Sequence, residues 1–205
     1  MAVFNMQKRV IECKIVYYGP GRCGKTTNLE TIHKLFRKQT EGDLVSIDTE
    51  GDRTLFFDFL PLGLGKIHGC DVRVQLFTVP GQPQYASTRK LVLKGADGLV
   101  FVADSLAVRR EKNMLSLKDL HENLKSYGLN IMKVPLILQY NKRDLANAGL
   151  PVMSIEQMER DLNRQLKVPS FPASAVTGEG VGKTLKACIE STLRHLQKEL
   201  DWAGR

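Results

Sequence analysis

Residues 16–27, Val16-Tyr17-Tyr18-Gly19-Pro20-Gly21-Arg22-Cys23-Gly24-Lys25-Thr26-Thr27, constrain this chain more than any other stretch. Gly19, Gly24, Lys25 and Thr26 fit G-x-x-x-x-G-K-[ST], a loop that wraps phosphate between a strand and a helix. The context agrees: the apolar run Ile11 to Tyr18 precedes it and a helical pattern follows. Gly19, Gly21 and Gly24 carry no Cβ, so the backbone can close around an anion. The N–H groups of Gly19 and residues 21–27, with the positive end of the next helix, then face the phosphates, including those of Arg22, Cys23 and Thr27. Lys25 is placed to reach the terminal phosphates and Thr26 to offer its hydroxyl to Mg²⁺.

A chain of 205 residues suits one domain over 1–205 with a substantial core. No apolar run approaches the ~20 residues that cross a bilayer. The start, Met1-Ala2-Val3-Phe4-Asn5, shows no secretory pattern, Ala2 does not support myristoylation, and the last residues offer no cysteine for a prenyl group, so neither secretion nor lipidation is expected. Cys13, Cys23, Cys70 and Cys188 form no C-x-x-C pair and read as reduced thiols of a cytoplasmic protein. The net charge of +8 favours acidic partners, but the basic residues are scattered, which reads as a solvated surface and not a nucleic-acid groove.

Strand and helix patterns alternate along the chain. Residues 9–18 read as a strand buried on both faces, and residues 25–38 as a helix with Leu29, Ile32, Leu35 and Phe36 on one stripe. Residues 39–54 read as a long polar loop with a short strand at residues 44–47. Residues 55–62 and 72–79 read as a hairpin about Gly63, Gly65 and Gly69. A short helix at 85–94 and a strand at 98–104 follow. Next come a helix bearing Leu117, Leu120 and Leu124, a strand at 134–140, and a Ser154-capped helix to Leu166. A strand at 170–174 and a final amphipathic helix close the chain. The expected fold is α/β in three layers: a mostly parallel six-stranded sheet with one antiparallel edge strand and helices on both faces. Ligands in such folds sit beyond the carboxyl ends of the strands.

Further polar clusters fall at those ends. In Asn141-Lys142-Arg143-Asp144, the Asp144 carboxylate can accept the paired ring N–H and amine of guanine, which adenine lacks. Asn141 can contact the base edge and the Lys142 stem can pack on the ring. In Thr78-Val79-Pro80-Gly81-Gln82, Gly81 can donate to a terminal phosphate and Gln82 can orient a water. Thr54 can ligate Mg²⁺. Arg53 reads either as a neutraliser of phosphate charge or as a salt-bridge partner of Asp48, Glu50 or Asp52. Ser174-Ala175-Val176 reads either as a backbone contact to the base carbonyl or as a plain strand end.

The order of these motifs resembles the Ras-like small GTPases, and more narrowly the bacterial MglA group of cell-polarity and gliding-motility GTPases. The carriers are residues 16–21, Asp52 to Pro61, Thr78 to Gln82 and Gln139 to Leu145. The resemblance implies the P-loop NTPase fold, GTP and GDP as ligands with Mg²⁺, and GTP hydrolysis. Gln82, Arg53 and Lys25 are implied as catalytic groups, and Thr26 and Thr54 as metal ligands. It implies a homodimeric MglB-like activator of the roadblock fold, which repositions Arg53 and Gln82 without supplying an arginine, and polarity or motility effectors. The chain is expected to be a monomer when alone and cytoplasmic, recruited to a cell pole, with no stable membrane insertion. The strand from Leu55 to Leu62 is implied to slide between two registers. Thr78 departs from the wider Ras pattern, which has Asp there. The loss of charge either weakens Mg²⁺ retention or shifts the work to Asp48, Glu50, Asp52 or Asp58. Two other functions stay open on the residues alone: a nucleotide-gated binding module with negligible hydrolysis, and a small-molecule kinase. The guanine-type tetrapeptide and the lack of an arginine-rich lid argue against the kinase.

Overall fold

The computed structural model describes residues 3–5, 9–47, 57–67 and 70–203. Its strands are β1 (Val3–Asn5), β2 (Val10–Tyr18), β3 (Val45–Ile47), β4 (Phe57–Ile67), β5 (Cys70–Thr78), β6 (Gly98–Asp104), β7 (Leu136–Asn141) and β8 (Ser170–Pro172). The helices are α1 (Lys25–Leu35), α2 (Ala86–Leu93), α3 (Arg110–Ser126), α4 (Ile155–Met158) and α5 (Val181–Ala203). The strands form one sheet in the order β3-β4-β5-β2-β6-β7-β8, with β1 paired to β2. Strands β5, β2, β6, β7 and β8 run parallel, whereas β4 runs antiparallel to β5. The six longer-range strands of the sequence pattern are thus present. To them the chain adds β1, and the short strand expected at residues 44–47 is present as β3, which pairs antiparallel with β4 outside it.

The continuous apolar runs have a simple cause. In β2, Ile15 and Tyr17 face one core with Leu29, Ile32, Leu185 and Cys188, while Val16 and Tyr18 face the other with Phe101, Leu120, Leu124 and Met158. Alternate residues point to opposite faces, and both faces are covered, so every position from Ile15 to Tyr18 is apolar. A buried Leu or Phe of this kind contributes about 1.5–3 kcal/mol, so the two layers hold the central strands firmly. Among the described residues no helix is long and apolar enough to cross a membrane.

Three elements differ from the sequence pattern. Helix α1 stops at Leu35, three residues early, because Phe36 leaves the helical region and its carbonyl takes the N–H groups of Gln39 and Thr40. Strand β4 continues through the glycines expected at the turn. One extra residue between Gly63 and Lys66 makes a bulge, with Gly65 at φ +73°. The Ser154-capped helix is regular only to Met158 and then widens into a π turn over Glu159–Asn163. There Asn163 bonds Glu159 and both backbone groups of Val168, which holds the wider turn open.

Candidate functional site

The loop between β2 and α1 is held by its carbonyls, one at a time. Lys25 Nζ donates to the carbonyls of Gly19 (2.9 Å) and Pro20 (2.8 Å). The Arg109 guanidinium donates to that of Gly21. Asn141 Nδ2 donates to the Cys23 carbonyl and Asn28 Nδ2 to the Gly24 carbonyl, each at 2.8 Å. A trans peptide points its C=O and the next N–H in opposite directions, so holding the carbonyls of Pro20, Gly21, Cys23 and Gly24 also fixes the N–H groups of Gly21, Arg22, Gly24 and Lys25, away from the groups that hold them. Successive N–H groups fixed in this way are what an anion cradle needs. Gly24 stands at φ +98°, and a Cβ there would lie 2.3 Å from the Asn141 amide nitrogen, so the position admits only glycine.

Lys25 is buried, and its third proton faces only Cys23 Sγ at 3.7 Å, a weak acceptor that a phosphate oxygen would displace. Burial pushes the Cys23 thiol up, with the neighbouring Lys25 charge opposing. Cys23 therefore stays a neutral thiol and lines the loop without acting as a nucleophile.

Beside the loop, three oxygens converge. Thr26 Oγ1 donates to Asp58 Oδ2 at 2.6 Å, and Thr78 Oγ1 donates to the same oxygen at 2.8 Å. The Asp58 N–H donates back to Thr78 Oγ1 at 2.9 Å. The pairing of β4 with β5 sets Asp58 beside Thr78, so the carboxylate missing from position 78 is supplied by the adjacent strand. Of the four acids that sequence left open, Asp58 meets Thr26; Asp48, Glu50 and Asp52 lie outside the described residues, as do Arg53 and Thr54. Two hydroxyls and one carboxylate fit Mg²⁺, a hard cation that takes oxygen ligands and few carboxylates, with phosphates completing its shell.

The turn after β5 closes against the loop. A Cβ on Gly81 would lie 2.3 Å from the Gly21 nitrogen and 2.5 Å from the Pro20 carbonyl carbon, so the two turns touch backbone to backbone. Gln82 is exposed, and its carbonyl accepts from Arg89 Nη1 at 2.5 Å. Arg89 is buried on α2 and pairs through Nε with Asp119 of α3 at 2.9 Å. Asp119 also accepts from Tyr18, the last residue of β2.

At the other end, Asn141 is fully buried and serves a role the sequence did not suggest. Beside the base-edge contact expected of it, it ties the Cys23 carbonyl to the Ala175 N–H, accepted by Oδ1 at 2.8 Å. Lys142 adopts φ +68° and donates to Asp104 Oδ2 at 2.8 Å. Asp144 heads the following turn, half-buried. Ser174 is buried, the Ala175 carbonyl accepts from Thr31 at 2.6 Å, and Val176 is exposed. The tetrapeptide, the Ser174–Val176 turn and the phosphate loop therefore share one edge of the sheet. Asn28, Arg89, Asp104 and Arg109 were missed by sequence reasoning. Only Asp104 carried a readable signal, as the acid that ends an apolar strand at its carboxyl end.

A family model described as the ADP-ribosylation factor family matches residues 1–192. The chain is 52% identical over 198 residues to the mutual gliding-motility protein MglA of Myxococcus xanthus, an alignment that spans 97% of this chain and 99% of that protein. It is also 34% identical over 92 residues to GTPase Obg of Anoxybacillus flavithermus, covering 45% of this chain and 20% of Obg.

Proposed function

The chain belongs to the ADP-ribosylation factor family, as a Ras-like small GTPase of the bacterial MglA type, and we propose that it switches cell polarity or motility by cycling between GTP-bound and GDP-bound states. One observation carries the reading. The Asn141 amide reaches Cys23 and Ala175 at 2.8 Å each, joining the phosphate cradle to the turn expected at the base. A single crevice can then hold both ends of a guanine nucleotide.

In this reading the N–H groups of Gly19 and residues 21–27 and the Lys25 ammonium take the phosphates. Asp144 takes the guanine N–H pair, the Lys142 stem packs on the ring, and the Ser174–Val176 backbone meets the base carbonyl. Gln82 orients the attacking water. A bond forms from that water to the γ-phosphorus as the bond to the bridging oxygen breaks, and Lys25 and Arg53 stabilise the spreading charge. Mg²⁺, when bound, adds divalent charge beside the phosphates; Thr26, Thr54, Asp58 and Thr78 are the residues that would hold it. The activating partner is an MglB-like homodimer of the roadblock fold, and the switch acts in the cytoplasm and is recruited to a pole. Thr78 alone would favour a binding module that barely hydrolyses, but the Asp58 carboxylate 2.8 Å from its hydroxyl restores the charge and favours the enzyme.

Single-turnover phosphate release, with and without such a partner, tests this. Gln82→Ala and Arg53→Ala should keep GTP binding and lose stimulated hydrolysis by about 10³-fold, the order an activating arginine contributes. Unchanged stimulated turnover removes these residues from the mechanism, and ATP outcompeting GTP ends the guanine reading.

A further inference from the structure

One cation beside the phosphate loop has no task in the account above. Arg109 ends the short 3-10 turn Ala107–Arg109 between β6 and α3. Its side chain is only 18% exposed, which is unusual for an arginine facing a polar edge. It makes two contacts: the Gly21 carbonyl, and Asp104 Oδ2 at 3.5 Å. Asp104 is buried and is shared with Lys142, whose Nζ lies at 2.8 Å. One carboxylate thus serves two cations, and an excess positive charge remains against the loop.

The contact to Gly21 has a directional consequence. The Gly21 carbonyl and the Arg22 N–H belong to one planar peptide, so fixing the first fixes the second on the opposite side. Arg22 itself stands at φ +63°, a region that non-glycine residues avoid unless held there. The carbonyls before it are held by Lys25 and the Cys23 carbonyl after it by Asn141. The Gly21–Arg22 peptide is held by Arg109. If it turned over, a carbonyl would face the phosphate oxygens in place of a donor.

We propose that Arg109 is a positioning residue that locks the Gly21–Arg22 peptide with its N–H toward the phosphates, and so sets how long a nucleotide stays bound. The proposal rests on the nucleotide-switch reading above. It assigns Arg109 no contact with the nucleotide, only with the loop that holds it.

Dissociation of a fluorescent GDP analogue from the full chain, in saturating Mg²⁺, measures the effect. Arg109→Gln should release GDP at least tenfold faster, and Arg109→Lys, which keeps a cationic donor, should fall between it and wild type. The ³¹P resonances of bound GDP should move in both variants, because the donor set around the phosphate changes; a general loss of stability would leave them in place. Arg110→Ala, which removes only the surface pair with Asp161, should release GDP at the wild-type rate. Should Arg109→Gln not fold, the lysine variant alone decides. Release within twofold of wild type, or faster release with unmoved resonances, overturns the proposal. Failure of the wild-type chain to bind the analogue would instead strike the nucleotide reading itself.

Discussion

Exchanging Asp58 for asparagine removes a charge and leaves the shape nearly unchanged. Two hydroxyls converge on its Oδ2, Thr26 at 2.6 Å and Thr78 at 2.8 Å, and the residue is buried. A hydrogen bond to a charged acceptor contributes about 1.5–3 kcal/mol, and a neutral one about 0.5–1.5 kcal/mol. Each bond therefore loses roughly 1 kcal/mol, and Asp58→Asn should destabilise the GDP-bound, Mg²⁺-free chain by about 2 kcal/mol in urea. The same lost charge should weaken Mg²⁺ retention. If the cation gains from the carboxylate at least what the two hydroxyls gain, the Mg²⁺ concentration that half-slows GDP release rises by roughly 30-fold. Adding Thr78→Asp to Asp58→Asn should recover most of that shift, because it returns a carboxylate to the facing strand. Thr78→Asp alone should destabilise, by setting two carboxylates side by side. An Asp58→Asn chain with the wild-type urea midpoint and the wild-type Mg²⁺ dependence would refute the idea that β4 supplies the missing acid.

Asn141→Ala should leave the Cys23 carbonyl and the Ala175 N–H unpaired in a buried setting, at about 1–3 kcal/mol each. Equilibrium unfolding should show a loss of about 3 kcal/mol together with faster release of nucleotide; a stable variant with normal release would mean the two loops hold together without it. Glu159 gives a pH signature away from the site. Burial pushes its carboxyl up, but donations from Ser170, Asn163 and Tyr140 outweigh this and hold it below the ordinary glutamate range. A group lowered on folding stabilises above its unfolded value of about 4.3, and that contribution is lost as pH falls through the folded value. The stability gap between wild type and Glu159→Gln should therefore shrink on acidification below about pH 4.3; a gap constant with pH would show that the carboxylate's charge is not what the cluster uses.

The layered α/β architecture was legible because Gly98 to Ala103 and Ile15 to Tyr18 are apolar without interruption, which only a strand covered on both faces requires. The loop from Gly19 to Thr27 and the tetrapeptide at Asn141 were legible because their chemistry is written in consecutive residues. What escaped is carried by contacts distant in sequence. Arg109 reaches Gly21 across 88 positions, and Asn141 reaches Cys23 across 118, and neither leaves a local pattern. The widened turn at Glu159 escaped for a different reason: Ser154 through Leu166 has ordinary helical spacing, and the widening goes with a local side-chain reach, Asn163 to Val168 five residues on, that the spacing does not show. The glycines at 63 and 65 were read as the turn because they weaken strands; a bulge uses them differently.

The bonding of Thr26 to a residue on β4 makes cation affinity a matter of alignment between two backbones. In the present pairing Phe59 lies opposite Phe77 and Leu60 opposite Leu76. Strand positions advance about 3.4 Å per residue, so a slip of two positions, which keeps every side chain on its own face, would carry the Asp58 carboxyl about 7 Å along the strand. With a slip in one direction, an isobutyl group from Leu60 would come to rest opposite Thr78. With the ion held through Asp58 as proposed, a protein that moved this ribbon would gain or forfeit its hold on the ion in one stroke, and a partner that pushed on the ribbon would govern the ion without approaching it.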